Sequence, residues 1–121
     1  MMNKPPTMHE RRRQKRRNIS YYMPILDPGT LQVVGHLVDI NQIGFMIDCP
    51  VALIGGVEMD LRLDTPPGIS NKDFILFHAR VKWCRPDRIT PNSYNVGFEI
   101  IGISESDAGI IQSIAEQFGS R

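Results

Sequence analysis

Cysteine is nearly absent from this chain: Cys49 and Cys84 are the only two, and neither belongs to a C-x-x-C pair. His9, His36 and His78 stand singly. Neither a disulfide framework nor a metal site is therefore expected, and two free thiols suit a reducing, cytoplasmic setting. Long apolar runs are lacking as well. A membrane span needs roughly 20 consecutive apolar residues, and here a charge, Pro or Gly interrupts every stretch after a few. No apolar h-region follows the basic residues near the start, so no secretory signal is expected. Nucleophile motifs, a phosphate-cradling Gly-rich loop and paired carboxylates in a suitable setting are also wanting. The expectation is a protein that is not an enzyme, with no catalytic residue and no cofactor.

What is there suits one globular domain. The 121 residues, 41% hydrophobic and 22% charged, are enough to bury an ordinary core. The formal net charge of +1 conceals an asymmetry. Residues 1–17 hold Lys4, Arg11, Arg12, Arg13, Lys15, Arg16 and Arg17 against Glu10 alone, whereas the remainder is acidic. Residues 1–17 read as a flexible basic arm and 18–121 as the folded domain. Such an arm on a mildly acidic body points to an anionic partner. Nucleic acid is not the expected one, because the body offers no row of aromatics on which bases would stack.

Beyond the arm the pattern is mostly of period two. Strands are expected over Ile19–Ile25 and Leu31–Ile40, with Asp27-Pro28-Gly29-Thr30 as the turn between them. Asn41–Gly44 reads as a tight turn before the short strand Phe45-Met46-Ile47. Val57–Leu63 alternates strictly, and Phe74–Cys84 and Tyr94–Ile101 follow the same rule. In the second of these, Ala79, Val81 and Trp83 are expected on one face, with Arg80 and Lys82 on the other. At the end the period changes: Ser104 suits an N-cap, and Ile110, Ile111, Ile114 and Phe118 share a helical face. Short strands with regular turn signals imply a mainly all-β antiparallel barrel or sandwich, with one C-terminal helix.

Two segments carry recognition chemistry. Glu10-Arg11-Arg12-Arg13-Gln14-Lys15-Arg16-Arg17 precedes the first strand, and Asp39-Ile40-Asn41-Gln42-Ile43-Gly44 ends the second. The guanidinium fork holds a phosphate or the O6/N7 edge of guanine through two parallel hydrogen bonds. Asp39 and Asn41 are expected on one face with Ile40 turned inward, so that a carboxylate and an amide face guanine N–H groups together. Gly44 would permit a positive φ in the turn, so that the backbone can double back close to a ligand. Trp83 reads as a core side chain or, at a barrel rim, as a platform for a guanine.

Arg-x-x-x-Arg before the first strand, followed about two dozen residues later by Asp-x-Asn-x-x-Gly, resembles the signature of PilZ domains. Arg80-Val81-Lys82-Trp83 resembles the family's late strand, and Asn95-Val96-Gly97-Phe98-Glu99 the strand before its closing helix. The resemblance implies a six-stranded antiparallel β-barrel of PilZ type with a C-terminal α-helix and a flexible basic N-terminal arm. It also implies a bacterial, cytoplasmic receptor for the second messenger cyclic di-GMP, held by the arm and the turn, that signals to a downstream protein partner. On this basis the ligand-binding residues are Arg12 and Arg16, or Arg13 and Arg17 one step on, with Arg11, Asp39, Asn41 and Gly44; Trp83 is a secondary candidate. Asn41 departs from the family's usual Ser. The alternative the resemblance allows is a ligand-free adaptor acting through protein–protein contact, as in pilus or motility machinery.

Overall fold

A computed structural model describes residues 17–19 and 21–119. Seven strands and one helix follow in the order β1 (Arg17–Asn18), β2 (Pro24–Leu26), β3 (Val33–Ile40), β4 (Gly44–Cys49), β5 (Glu58–Asp64), β6 (Phe74–Pro86), β7 (Tyr94–Gly102) and α1 (Glu105–Phe118). All neighbouring strands pair antiparallel. The ladder runs β3-β2-β5-β6-β7-β4 and closes through a β3–β4 pairing, so six strands form a barrel with β1 added alongside β3. Closure leaves no long unpaired edge in the barrel.

The alternation of the sequence becomes the two sides of this barrel. Phe45, Ile47, Leu61, Leu63, Ile75, Val81, Val96 and Phe98 point inward and are fully buried. Each such side chain contributes roughly 1.5–3 kcal/mol by leaving water. Phe45 is central, stacked on Phe98 at 4.9 Å between ring centroids and meeting Phe77 edge-on at 5.6 Å. The helix starts where expected. Ser104 accepts a hydrogen bond from the Asp107 backbone N–H (3.2 Å), and α1 buries Ile111, Ile114 and Ala115, with Ile110 and Phe118 packed partly against the core. Asp107 is also buried and takes Lys72 Nζ at 2.7 Å.

Three expectations need correction. The first strand is broken. Between β1 and β2 the chain leaves the ladder so that Tyr21 lies on Phe118 of α1 (4.8 Å) and Tyr22, 70% exposed, donates to or accepts from His36 Nε2 (3.0 Å). Only from Pro24 does the segment pair with both β3 and β5. Secondly, Leu31 lies outside β3, in the turn, at φ 63°, where the Asp27 carboxylate accepts the N–H groups of Gly29 and Thr30. Thirdly, Trp83 does not share a face with Val81. The register slips between Val81 and Trp83 opposite β7, and this bulge rotates the indole out of the core.

Candidate functional site

The last residues of β3 and the start of β4 form one tight corner. The Asn41 N–H donates to Gly44 O (2.9 Å), and the Asn41 side-chain oxygen accepts from the backbone N–H groups of Ile43 (2.9 Å) and Gly44 (3.0 Å). The amide thus staples the turn in the manner of an Asx motif. Gly44 does not take a positive φ; the glycines that do are Gly56 (91°) and Gly68 (84°). The corner closes through the Asn41 side chain, and Gly44 enters β4 as an extended residue opposite Glu99.

Asp39, Ile40 and Asn41 are all buried, at 9%, 1% and 7% exposure. Simple alternation would leave Asp39 outside the barrel opposite Ile40. It is buried all the same, at a point where the register of β3 slips against β4 between Leu37 and Asp39, and β1 pairs alongside: Asn18 is opposite Asp39, and Arg17 is opposite Ile40. The chain that carries the arginines therefore enters the barrel beside the Asp39 corner. Of the arginines singled out, Arg17 has its backbone in β1, whereas Arg11, Arg12, Arg13 and Arg16 lie outside the described residues.

Next to this corner is a depression of about 350 Å³, lined by Ile43, Gly44, Lys82, Trp83, Gly97, Phe98 and Glu99. Trp83 is half-buried on its outer wall. Its indole lies so close to β7 that a Cβ on Gly97 would come within 2.3 Å of the ring. The Arg85 guanidinium stands 4.3 Å from the indole centroid. Sequence reasoning singled out Trp83 but not Lys82, Gly97 or Glu99 as members of a site. A usable signal was present: a glycine inside an alternating strand marks the close approach of another group.

A row of charges runs across the barrel from the depression. Arg80 donates to Glu99 (3.3 Å) and to Glu58 (3.1 Å); His78 holds Asp60 through Nδ1 (2.7 Å) and Glu58 through Nε2 (3.0 Å). With a carboxylate on each ring nitrogen, Asp60 first and Glu58 second, the imidazolium is favoured and the His78 pKa is raised. Hydrogen bonds from His78 and then Arg80 hold Glu58 below the usual carboxylate range. Away from this row, burial pushes the Cys49 thiol up.

The closed barrel with its terminal helix, the entry strand β1 and the adjoining corner and depression make up one small β-barrel domain. This chain belongs to the PilZ domain family, whose model matches residues 10–117. Among solved structures it is similar to the PilZ domain with c-di-GMP of YcgR from Escherichia coli (TM-score 0.66, 15% identity, covering 89% of this chain and 91% of that one). It is also similar to the structure of the Bacillus subtilis inhibitor of motility MotI/DgrA (TM-score 0.68, 13% identity), covering 87% of this chain and 51% of that one. The chain thus spans about half the length of the latter. No curated protein matches the sequence. At these identities the solved structures establish the barrel fold. No described helix is long and apolar enough to cross a membrane.

Proposed function

We propose that this protein is a non-catalytic, bacterial cytoplasmic receptor for cyclic di-GMP that orders its arginine-rich arm over the barrel when the ligand binds. The observation that carries this reading is convergence. β1, which continues the arginine segment, the Asp39–Gly44 corner and the Trp83 depression meet at one place on the barrel. Arginines of the 11–17 segment supply planar forks for two phosphates and guanine edges, and the corner supplies a carboxylate and an amide. Trp83 supplies a stacking surface. The exposed Arg85–indole contact is worth about 0.5–1 kcal/mol, against about 1–3 kcal/mol for a base on an aromatic ring, so a base displaces the guanidinium.

In this mechanism like charges keep the free arm apart, and the phosphates neutralise them. Coupled ordering of that kind costs about 2–5 kcal/mol of the contact energy, which makes the arm a switch rather than a fixed element. The ordered arm presents a new surface to a downstream protein.

Calorimetric titration with cyclic di-GMP, with GMP as control, tests the reading. Saturable binding is expected for the wild type. Arg16→Ala removes a charge-assisted pair and weakens binding by on the order of 1.5–3 kcal/mol; if the register is one step on, Arg17→Ala does so instead. Undetectable binding by the wild type, or full affinity in both variants, would refute it, and a protein recovered on the arm would then favour the adaptor role.

A further inference from the structure

The depression contains a group that the receptor reading leaves unused. Glu99 stands two residues beyond Gly97, so both lie on the outer face of β7. Gly97 is the floor on which the Trp83 indole rests, which puts the Glu99 carboxylate beside that platform. On one side Gly44 is its cross-strand partner and contributes no side chain. On the other, Arg80 holds one carboxylate oxygen at 3.3 Å, and the side chain remains 41% exposed. A fixed, half-exposed carboxylate next to a stacking surface is an acceptor placed where the edge of a stacked base would arrive.

The geometry points to Glu99 as the residue that makes this site prefer guanine over adenine. The inference rests on the receptor reading and deepens it. A carboxylate only accepts hydrogen bonds. Guanine presents N1–H and N2–H side by side on its Watson–Crick edge and can donate both. Adenine presents one donor, the N6 amino group, beside the lone pair of N1, which the carboxylate repels. Sites of this kind discriminate because the wrong base leaves a polar group facing a like partner. Arg80 acts as the positioning residue, and it also offsets the negative charge that would otherwise oppose an anionic ligand.

The sign of one substitution separates a guanine reader from a surface carboxylate that happens to lie nearby. Removing a bystander negative charge should tighten binding of any dinucleotide anion. Removing a reader should weaken guanine binding alone. The full chain and its Glu99→Gln and Glu99→Asp variants are titrated with cyclic di-GMP and cyclic di-AMP, with circular dichroism and thermal melting confirming the fold of each. For the wild type, cyclic di-GMP should bind the tighter. In Glu99→Gln its affinity should fall on the order of tenfold, while that of cyclic di-AMP holds or rises, so the preference narrows. Glu99→Asp keeps the charge but withdraws it by one methylene, and should narrow the preference too. A Glu99→Gln variant that binds both dinucleotides more tightly, or loses both equally, overturns the inference and leaves the receptor reading intact. An undiminished preference in Glu99→Asp also overturns it. A wild type that binds neither dinucleotide overturns both.

Discussion

Replacing Gly97 by alanine puts a methyl group into space that the Trp83 indole occupies. The added Cβ would lie 2.3 Å from Cε2, 2.4 Å from Nε1 and 2.6 Å from Cζ2 of the ring, against an ordinary contact of 3.4–4 Å. Something must retreat by about 1 Å to restore van der Waals distance. β7 cannot, because it is paired on both sides with β4 and β6. The half-buried ring can, by swinging outward. The variant therefore loses the packing of the indole on the strand without straining the core. Overpacking substitutions cost about 1–3 kcal/mol, and an outward-swinging surface ring puts this one near 1 kcal/mol. In a domain of this size that lowers Tm by about 4 °C. The assay is direct, since Trp83 is the only tryptophan. In Gly97→Ala its emission should shift to the red as the ring meets more water. If Trp83 is the stacking platform, cyclic di-GMP should quench it less and bind more weakly. Unchanged emission together with an unchanged Tm would refute the placement of the indole on Gly97, and with it the shape of the depression.

Gly35→Ala should be worse than Gly97→Ala, because its Cβ would meet the Asp48 backbone oxygen at 2.2 Å and Ile47 Cδ1 at 2.9 Å, in paired strands with no slack. A loss of about 3 kcal/mol in urea unfolding is expected, and a variant as stable as Gly97→Ala would contradict this. Asn41→Ala removes the acceptor for two turn N–H groups and should cost about 1–2 kcal/mol. Asn41→Ser, whose hydroxyl can still accept, should recover part of that in the same experiment. The raised pKa of His78 gives a pH dependence of definite sign. Its contribution is fully present below its ordinary value of 6.5 and is lost as pH rises through the higher folded value. The difference in Tm between wild type and His78→Gln should shrink over that interval, and a difference that stays constant with pH would show that the carboxylates do not hold the imidazolium.

Much of the barrel was legible because burial imposed period two on it. Leu61 and Leu63, or Ile75, Phe77, Ala79 and Val81, mark the inward face of their strands without ambiguity. The departures occur where a second influence acts on the same residues. Trp83 continues the parity of Val81 in the sequence, but the bulge opposite β7 reverses it, and alternation does not register one extra residue. Tyr21 and Tyr22 carry strong strand preference, yet both are exposed and turn toward α1 and His36. Asp39 reads as an outward residue, yet it is buried where β3 slips its register against β4 and pairs with β1, a segment more than twenty positions away.

The corner at Asn41 bears directly on whether a departure from the family's serine weakens the site. Ser and Asn are alike in the one property the turn uses, a side-chain oxygen that reaches the N–H groups two and three residues on. In this chain the Asn41 oxygen makes both bonds, to Ile43 and Gly44. The residue after which the depression opens is thus held in place, and Gly44 is delivered to its register opposite Glu99. The substitution therefore preserves the turn that carries Gly44 into β4, and differs from serine only in placing an amide nitrogen where a hydroxyl would be. If the corner acts chiefly by shaping the depression, Asn41→Ser should leave the affinity for cyclic di-GMP within about threefold, near 0.6 kcal/mol. A change of tenfold or more in either direction would mean that the side chain at 41 touches the ligand itself.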